Sequence, residues 1–409
     1  MAAAGLDPLP RTAWLEIDLG ALTRNLGVLR SLAGDVPVSP VVKADAYGHG
    51  AVPVAQALAA AGADGLCVAT FDEAVVLREA GIDRPIVVLY PIPPELAREA
   101  ADERIAVTAG DETLLDRLLA QPGLDQIAAP LAVHLEVETG LGRGGFEPEA
   151  LTPAADRLRA APGVRLASVW THMQASDDEA ITARQLRRFE EAVSRLREAG
   201  HDLPRHAAAS GGILEGGVAS LDGVRPGLAI YGLVPDELLG GGRQADARAR
   251  ELRPVMSLRA QPVRVANLPA GSGISYGPTF TTSRPSRIAT LPLGYGDGWS
   301  RALSNRAEAL VRGVRVPIVG NVAMDAIMAD VTDVPGLPVG VEDEFVLIGR
   351  QGDLEITALD LARARATNQW EVVTNMAARL PRVYHAASGP QGLRTLVSGT
   401  GPRPRRTLA

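Results

Sequence analysis

The chain has 409 residues, of which 46% are hydrophobic and 4% aromatic, and its net charge is −7. The length favours two domains, and the acidic balance argues against nucleic acid or an anionic membrane as a partner. The single cysteine, Cys67, excludes internal disulfides and cysteine-based metal clusters, and its apolar surroundings predict a small buried residue. With neither a membrane-length apolar run nor a secretion signal, we expect a cytoplasmic protein.

From residue 19 to 240, short apolar runs alternate with longer amphipathic segments, as in parallel strands with helices between them. Thr70-Phe71-Asp72-Glu73 predicts a helix start by a capping box, and Gly81 predicts its end. Eight such units predict an α/β fold, a (β/α)8 barrel. The predicted strands are Val38–Val42, Gly65–Ala69, Ile86–Tyr90, Ile105–Thr108, Leu131–Val137, Arg165–Thr171, His206–Ala209 and Val224–Ile230.

The remaining segments predict a second domain. An early strand, Ala13–Asp18, lies in residues 1–18, which we expect to pack with the C-terminal part. Glycine and polar residues from Gly240 to Arg250 indicate a linker, and residues 241–395 predict a mostly β domain with one helix near Ala358–Ala366. Residues 396–409 are rich in Gly, Pro and Arg, which predicts disorder. The predicted strands are Val255–Val265, Ile288–Leu293, Ala309–Val319, Ala326–Val331 and Glu344–Ile348.

Lys43 is the only lysine among 41 basic residues. Arginine keeps its proton at any cellular pH, whereas a lysine in an apolar pocket can lose it and attack a carbonyl to form a Schiff base. Retention of one amine among so many guanidiniums indicates that chemistry requires it, although an arginine-rich composition could also leave one lysine by chance.

Other reactive side chains follow the predicted barrel strands, at the end where barrel enzymes place their chemistry. Arg143 follows the fifth strand, His172 ends the sixth and Ser210 follows the seventh, while Arg225 begins the eighth with Gly227 just beyond. A serine hydroxyl and glycine amides suit a phosphate group. A phosphate-bearing cofactor with a carbonyl that an amine can attack describes pyridoxal 5′-phosphate.

Several motifs, in order along the chain, resemble those of the alanine racemases, which are fold-type III pyridoxal-phosphate enzymes. The resemblance runs from about Ala13 to Tyr384. The matching pieces are Val42–Gly50, His134–Arg143, Thr171-His172, Arg225–Leu228, Tyr231-Gly232, Ser275–Gly277, Gly294–Gly298, Met324-Asp325 and Arg379–Tyr384.

The resemblance implies interconversion of L- and D-alanine by a homodimer with shared active sites. Lys43 would bond the cofactor and move the Cα proton on one face of the substrate, and Tyr276 of the partner subunit would act on the other face. Arg225 would face the pyridine nitrogen and keep it unprotonated. The implied cofactor-binding residues are Lys43, Tyr47, Leu89, His172, Ser210, Arg225, Gly227, Leu228 and Trp370. The implied substrate-binding residues are Arg143, Met324, Asp325 and Tyr295, and no metal is expected.

Four positions depart from the family pattern. Many members carry a carbamylated lysine where this chain has Glu136, and we expect this carboxylate to pair directly with Arg143. Trp370 replaces a tyrosine near the phosphate, Ala209 an asparagine and Ala323 a cysteine. These departures leave the preferred substrate more open than the reaction type.

Other functions fit part of the sequence. One alternative is a racemase for serine or another small amino acid, and another is a non-catalytic pyridoxal-phosphate-binding protein. Such binding proteins resemble the barrel alone, so the second domain with Tyr276 argues against them. Related decarboxylases need a catalytic cysteine in the second domain, which this chain lacks. A zinc-assisted dehydratase or aldolase is disfavoured because the histidines show no metal-ligand spacing.

Overall fold

The computed structural model describes residues 5–216, 218–239 and 244–397. These residues divide into two compact units. The barrel unit comprises Leu22–Tyr47 and the described residues from Ala51 to Arg253, and the β unit comprises the rest, including Gly48–Gly50. The glycines of the expected linker, and the expected tail from residue 398 onward, lie outside the described residues. In the described part of the chain, no helix is both long and apolar enough to cross a membrane.

The strands are β1 Ala13–Asp18, β2 Leu66–Val68, β3 Ile86–Val88, β4 Ile105–Ala109, β5 Leu131–Glu136, β6 Val164–Trp170, β7 Arg205–His206, β8 Met256–Ala260, β9 Arg264–Leu268, β10 Ser286–Leu291, β11 Glu308–Val311, β12 Val314–Pro317, β13 Ile327–Asp330, β14 Phe345–Gln351, β15 Leu354–Ile356, β16 Arg382–Ala386 and β17 Gly389–Arg394. The helices are α1 Leu19–Ala33, α2 Lys43–Tyr47, α3 Ala51–Ala60, α4 Phe71–Glu79, α5 Ala97–Asp102, α6 Glu112–Leu119, α7 Pro148–Ala160, α8 Glu179–Glu198, α9 Ser210–Glu215, α10 Gln244–Ala249, α11 Ala358–Ala364 and α12 Gln369–Thr374.

The barrel unit is built on a parallel sheet in which β2 to β7 pair in chain order. Two extended segments continue the pairing beyond both edges of this sheet. Val41 pairs with Cys67 of β2, Val38 pairs with Val224, and Arg225 pairs with Ala209, which follows β7. The strands carry runs of buried apolar residues, as expected of a parallel sheet whose faces are covered. The predicted fold class, a barrel followed by a mostly β domain, is confirmed.

The prediction of helix α4 is confirmed in detail. The Glu73 carboxylate accepts the backbone N–H of Thr70 at 3.2 Å, which stabilises the start of the helix. The helix ends before Gly81, whose φ of 79° is the left-handed conformation expected of a terminating glycine. Cys67 is buried, as predicted.

The eighth predicted strand, Val224–Ile230, is wrong in its extent. Only Val224 and Arg225 make parallel bridges, and Leu228–Tyr231 forms a 3-10 turn. Pro226 has no N–H to donate, and Gly227 leaves the extended conformation with φ −106° and ψ −94°. The ladder therefore ends where the chain turns over the carboxyl end of the barrel.

Three other predictions need correction. The stretch before Arg250 is not all linker, because α10 packs on α9 and Arg248 donates to the carbonyl oxygens of Ile213 and Leu214 at 3.0 and 2.8 Å. Val255–Val265 is two strands, β8 and β9, which lie in different sheets. Ala309–Val319 is the β11–β12 hairpin, which turns at Arg312 and Gly313 with φ of 51° and 73°.

The β unit contains two sheets. In the larger, β1 lies between β8, which is antiparallel to it, and β16, which is parallel. The smaller has the order β13-β10-β9. Ile274, Ile288, Val319 and Met328 form a buried cluster against this small sheet. The cluster anchors the loop that carries Tyr276.

Candidate active site

Lys43 begins α2, immediately after the first extended segment of the barrel. Ala44, Asp45 and Ala46 have φ of 53°, 54° and 54°, so this turn is left-handed, which is costly for residues that carry a Cβ. Hydrogen bonds hold it, because Glu73 Oε1 accepts the Ala44 N–H at 2.6 Å and Asp45 Oδ1 accepts the Ala51 N–H at 2.8 Å. The direction of the lysine side chain is therefore fixed by the backbone.

The Lys43 amine is half-buried and lies among charged groups. Burial lowers its pKa, and the positive charge of Arg143 lowers it further, while Glu73 opposes the shift. A lowered pKa increases the fraction of uncharged amine near neutral pH, and only that form attacks a carbonyl.

Arg143 lies in a loop that closes back on the end of β5. The Glu138 carboxylate accepts the N–H of Gly142 at 2.8 Å, and Glu138 N donates to Phe146 O at 2.9 Å. At Gly145 a Cβ would lie 2.6 Å from Glu138 N, so the loop can close only over a glycine. The Arg143 guanidinium lies 5.5 Å from the centre of the Tyr90 ring, which orients it.

The Glu136 carboxylate pairs with Arg143, as the sequence predicted, with Oε1 3.7 Å from Nη2. Glu136 is buried, whereas the Arg143 side chain is 38% exposed. Burial raises the pKa of Glu136, and the nearby guanidiniums of Arg143 and Arg225 partly offset this shift. The carboxylate thus supplies a buried negative charge beside a partly exposed arginine.

We expect Glu136→Gln to lower kcat/KM about tenfold or more, because a charge-assisted contact worth about 1.5–3 kcal/mol is lost. Steady-state kinetics measure the effect. Glu147→Gln is the control, because it removes a nearby carboxylate that pairs with Arg188 and not with Arg143. Unchanged substrate affinity and turnover in Glu136→Gln would refute the positioning role.

Arg225 lies buried at the floor of this region. Its guanidinium donates to Thr171 O at 2.9 Å and to His206 O at 3.2 Å, contacts Nδ1 of His206, and lies 4.6 Å from the Trp170 ring centre. Burial lowers its pKa to about 10, so it stays charged at neutral pH. Burial also lowers the pKa of His172 to about 3, helped by the charge of Arg225, so that imidazole is neutral.

A group of hydroxyls and backbone amides, which we call the Ser210 cluster, lies beyond the seventh and eighth strand ends. Ser210 Oγ accepts the N–H groups of Gly227 and Ala229 at 2.9 and 3.1 Å. A Cβ at Gly227 would lie 2.6 Å from the Tyr47 hydroxyl oxygen, so only glycine fits there. The Tyr47 ring packs on Tyr231 with 4.9 Å between ring centres. Hydroxyl groups and backbone amides therefore converge at one place, as phosphate recognition requires.

The predicted residues of the β unit gather at a second place. A cavity of about 700 Å³ is lined by Tyr276, Tyr295, Met324 and Asp325, among others. Tyr276 is 78% exposed, and its backbone is held because Asn321 Nδ2 donates to Tyr276 O at 2.8 Å. The loops of Tyr295 and Met324 are tied together by Tyr295 N–Ala323 O and Gly296 N–Met324 O bonds, both 3.0 Å.

A buried carboxylate fixes these loops. Asp297, which is 0% exposed, accepts from Arg11 Nη1 at 2.6 Å, from Arg379 Nε at 2.7 Å and from the Gly294 N–H at 3.0 Å. Arg379 also pairs with Asp325 at 2.6 Å. Through these ion pairs, Arg379 links the buried Asp297 to Asp325 in the predicted substrate-binding loop.

We expect Asp297→Asn to lower the free energy of unfolding by about 3 kcal/mol, because two guanidiniums lose their buried partner but remain partly in water. Denaturant unfolding followed by circular dichroism measures the change. Asp325→Asn, at the exposed end of the same network, is the matched control and should cost less than about 1 kcal/mol. Equal losses in the two variants would contradict the argument.

The structure therefore brings the sequence-predicted residues into two groups. The barrel unit holds Lys43, Arg143, His172, Arg225 and the Ser210 cluster with Leu228. Leu89 is half-buried just after β3. Trp370 is half-buried on α12 and is not among the described residues that line the β-unit cavity. Sequence reasoning missed His206, Tyr90 and Asp297. His206 ends β7, and a polar residue at a strand end was the available signal.

A barrel whose strand ends carry an amine of lowered pKa, a buried guanidinium and the Ser210 cluster, followed by a mostly β unit, is typical of one class of cofactor-dependent barrel enzymes. The family described as "Alanine racemase, N-terminal domain" matches residues 17–235, and "Alanine racemase, C-terminal domain" matches residues 255–384. The chain belongs to the alanine racemase family of enzymes.

Individual relatives agree. An alanine racemase of Halothermothrix orenii is 38% identical, with 92% of this chain and 97% of that protein covered. An alanine racemase of Symbiobacterium thermophilum is 41% identical, covering 91% and 97%. The crystal structure of alanine racemase from Bacillus anthracis with bound L-Ala-P is similar with a TM-score of 0.86 and 35% identity, covering 95% of this chain and 98% of that one.

Proposed function

We propose that the chain is a pyridoxal 5′-phosphate-dependent racemase that interconverts L- and D-alanine. One observation carries the proposal: the only lysine is half-buried at a barrel strand end, where burial and Arg143 lower its pKa. Family membership and the names of the relatives support alanine as the substrate.

The residues of the barrel unit fit the cofactor. Tyr47, Ser210, Gly227 and Leu228 would hold the phosphate, because hydroxyl groups and amides converge where no Cβ fits. Leu89, His172 and Trp370 complete the proposed binding set. When bound, the cofactor supplies the electron sink that allows the Cα proton to leave.

Arg225 would donate to the pyridine nitrogen. Because its pKa is lowered only to about 10, the guanidinium keeps its proton at neutral pH and the ring nitrogen stays unprotonated. A moderate electron sink favours rapid return of the proton over side reactions. The bonds of Arg225 to Thr171 O and His206 O would keep this donor in place.

Two side chains would move the proton. Lys43 Nζ removes or returns it on one face of Cα, and the hydroxyl of Tyr276 of the partner subunit does so on the other. Arg143 would bind the substrate carboxylate, together with the backbone N–H of Met324 of the partner subunit and with Asp325 of the partner subunit beside it. Tyr295 of the partner subunit would line the way in.

A panel of single L-amino acids in heavy water tests the function. Loss of optical rotation together with deuterium uptake at Cα should be fastest with L-alanine. Fastest turnover of L-serine would support the alternative substrate, and no exchange with any small amino acid would support a binding protein without activity.

Mixing two inactive variants tests the shared site. If Tyr276 of the partner subunit completes each site, a dimer of Lys43→Arg and Tyr276→Phe chains contains one intact site. Random reassociation should then restore about one quarter of the wild-type activity. No recovery, with mixed dimers demonstrated by mass spectrometry, would show that the two groups must come from one chain or that the assignment is wrong.

A further inference from the structure

The barrel unit has a cavity of its own, at the end opposite to Lys43. Its volume is about 700 Å³, and most of its mouth is formed by residues that precede the barrel strands. We call it the lower cavity. Its mouth includes Pro37, Asp64, Pro85, Pro130, Pro204 and Asp222.

The lower cavity exists because small side chains occupy the interior. Cys67 of β2, Ala106 of β4, Ala132 of β5 and Ser168 of β6 all line it. Barrel interiors are ordinarily filled by layers of Val, Ile and Leu. The space is open to the surface, so a small molecule can enter it.

The uncompensated charge that faces the lower cavity is positive. Arg165 stands exposed at the mouth and makes no hydrogen bond or ion pair with any described residue, and the buried Arg225 lies at the inner end. The carboxylates at the mouth are already paired. Asp64 lies 2.8 Å from Arg30, Asp83 lies 3.8 Å from Arg104, and Asp222 lies 3.0 Å from Arg205.

The walls of the lower cavity are polar on one side and apolar on the other. His134 Nδ1 lies 2.5 Å from Ser168 Oγ, and this oxygen lies 3.0 Å from His206 Nε2. The register of the parallel strands places Cys67, Val87 and Ala106 on one face of the sheet, and these side chains form the apolar side. An occupant with one anionic end and a short hydrocarbon body would satisfy both sides.

We propose that the lower cavity binds a small organic carboxylate. Its charged end pairs with Arg165 and faces the polar side near His134 and Ser168, and its apolar body lies against Val87, Ala106 and Ala132. This site opens at the end of the barrel opposite to Lys43, and of the residues proposed for the racemase site only Arg225 is among the described residues that line it.

Calorimetric titration of the cofactor-loaded protein with benzoate tests the proposal. Arg165→Gln should weaken binding about tenfold or more, because it removes a charge-assisted contact from an exposed position without disturbing the fold. Ala132→Leu should do the same by filling the cavity. Arg187→Gln, which removes an exposed arginine from α8, should bind benzoate normally.

The same titration distinguishes the active site from the lower cavity. A benzoate site that survives Arg143→Gln but not Arg165→Gln supports the lower cavity. Binding that is lost only in Arg143→Gln would overturn the proposal. So would unchanged binding in Arg165→Gln, equal affinity for uncharged benzyl alcohol, or tighter binding of inorganic phosphate than of benzoate.

Discussion

Replacing Lys43 with arginine should lower the rate of alanine racemisation by at least about 10⁴-fold, because a nucleophile and a general base are lost together. The charge is conserved, so any loss reports the missing free amine. The pKa of Lys43 is lowered by burial, whereas a guanidinium at this position would stay protonated at any cellular pH. Racemisation followed by circular dichroism and the visible absorbance of the bound cofactor are the two measurements.

The composition of the chain permits an additional test. Because Lys43 is the only lysine, borohydride treatment of the cofactor-loaded protein should attach the pyridoxyl group to a single peptide. Arg187→Lys provides the control, since it adds an exposed lysine on α8 that should remain unlabelled. Label on any other amine of the wild-type protein, or racemisation at the normal rate by Lys43→Arg, would contradict the assignment.

The parts of the fold that could be predicted are those in which local sequence and long-range contacts agree. Leu131–Val137 is a mostly apolar run without proline or glycine, and β5 pairs with both of its neighbours along its length, with one shift of register between Val133 and His134. Val224–Ile230 is equally apolar, but Pro226 and Gly227 end its pairing after two residues. Hydrophobicity predicted a strand there, whereas backbone hydrogen bonding decided otherwise.

The candidate site likewise contains residues that could be predicted from local sequence and contacts that could not. Lys43 and Arg143 could be predicted because Lys43 follows an extended segment directly, Arg143 lies in the loop after β5, and barrel strands present their carboxyl ends on one side. The contacts of Glu73 with Ala44 and of Asp297 with Arg11 join residues 29 and 286 positions apart. No local pattern encodes such pairs. The sequence therefore predicted the candidate reacting groups and the contact of Glu136 with Arg143, but not the distant side chains that hold the loops.

Glu136 is a site residue whose role follows from the composition of the chain. Since the chain has one lysine, no lysine carbamate is available beside Arg143, and a buried carboxylate lies there instead. Burial raises the pKa of Glu136, so on acidification this negative charge is lost at a higher pH than for a solvent-exposed glutamate. We expect substrate affinity to weaken on the acidic side accordingly, and to weaken less with pH in Glu136→Gln.

Replacing Tyr276 with phenylalanine should lower racemisation by at least about 10³-fold while leaving the thermal midpoint unchanged. The phenol is 78% exposed, and its loop is held by backbone contacts with Asn321 and by the buried cluster around Ile274, so the hydroxyl contributes little to stability. Tyr90→Phe is the matched control, because it removes an exposed tyrosine hydroxyl but keeps the ring beneath Arg143.

The isotope pattern of Tyr276→Phe distinguishes a two-base reaction from a general loss of activity. L- and D-alanine have equal free energies, so the overall rates in the two directions must fall together. Exchange of the Cα proton with heavy water should nevertheless persist for the one enantiomer whose proton faces Lys43, without inversion. If both enantiomers lost exchange equally, or if Tyr276→Phe racemised at the wild-type rate, the phenol would not be the second base, since removing one of two opposed groups leaves the chemistry of the other face intact.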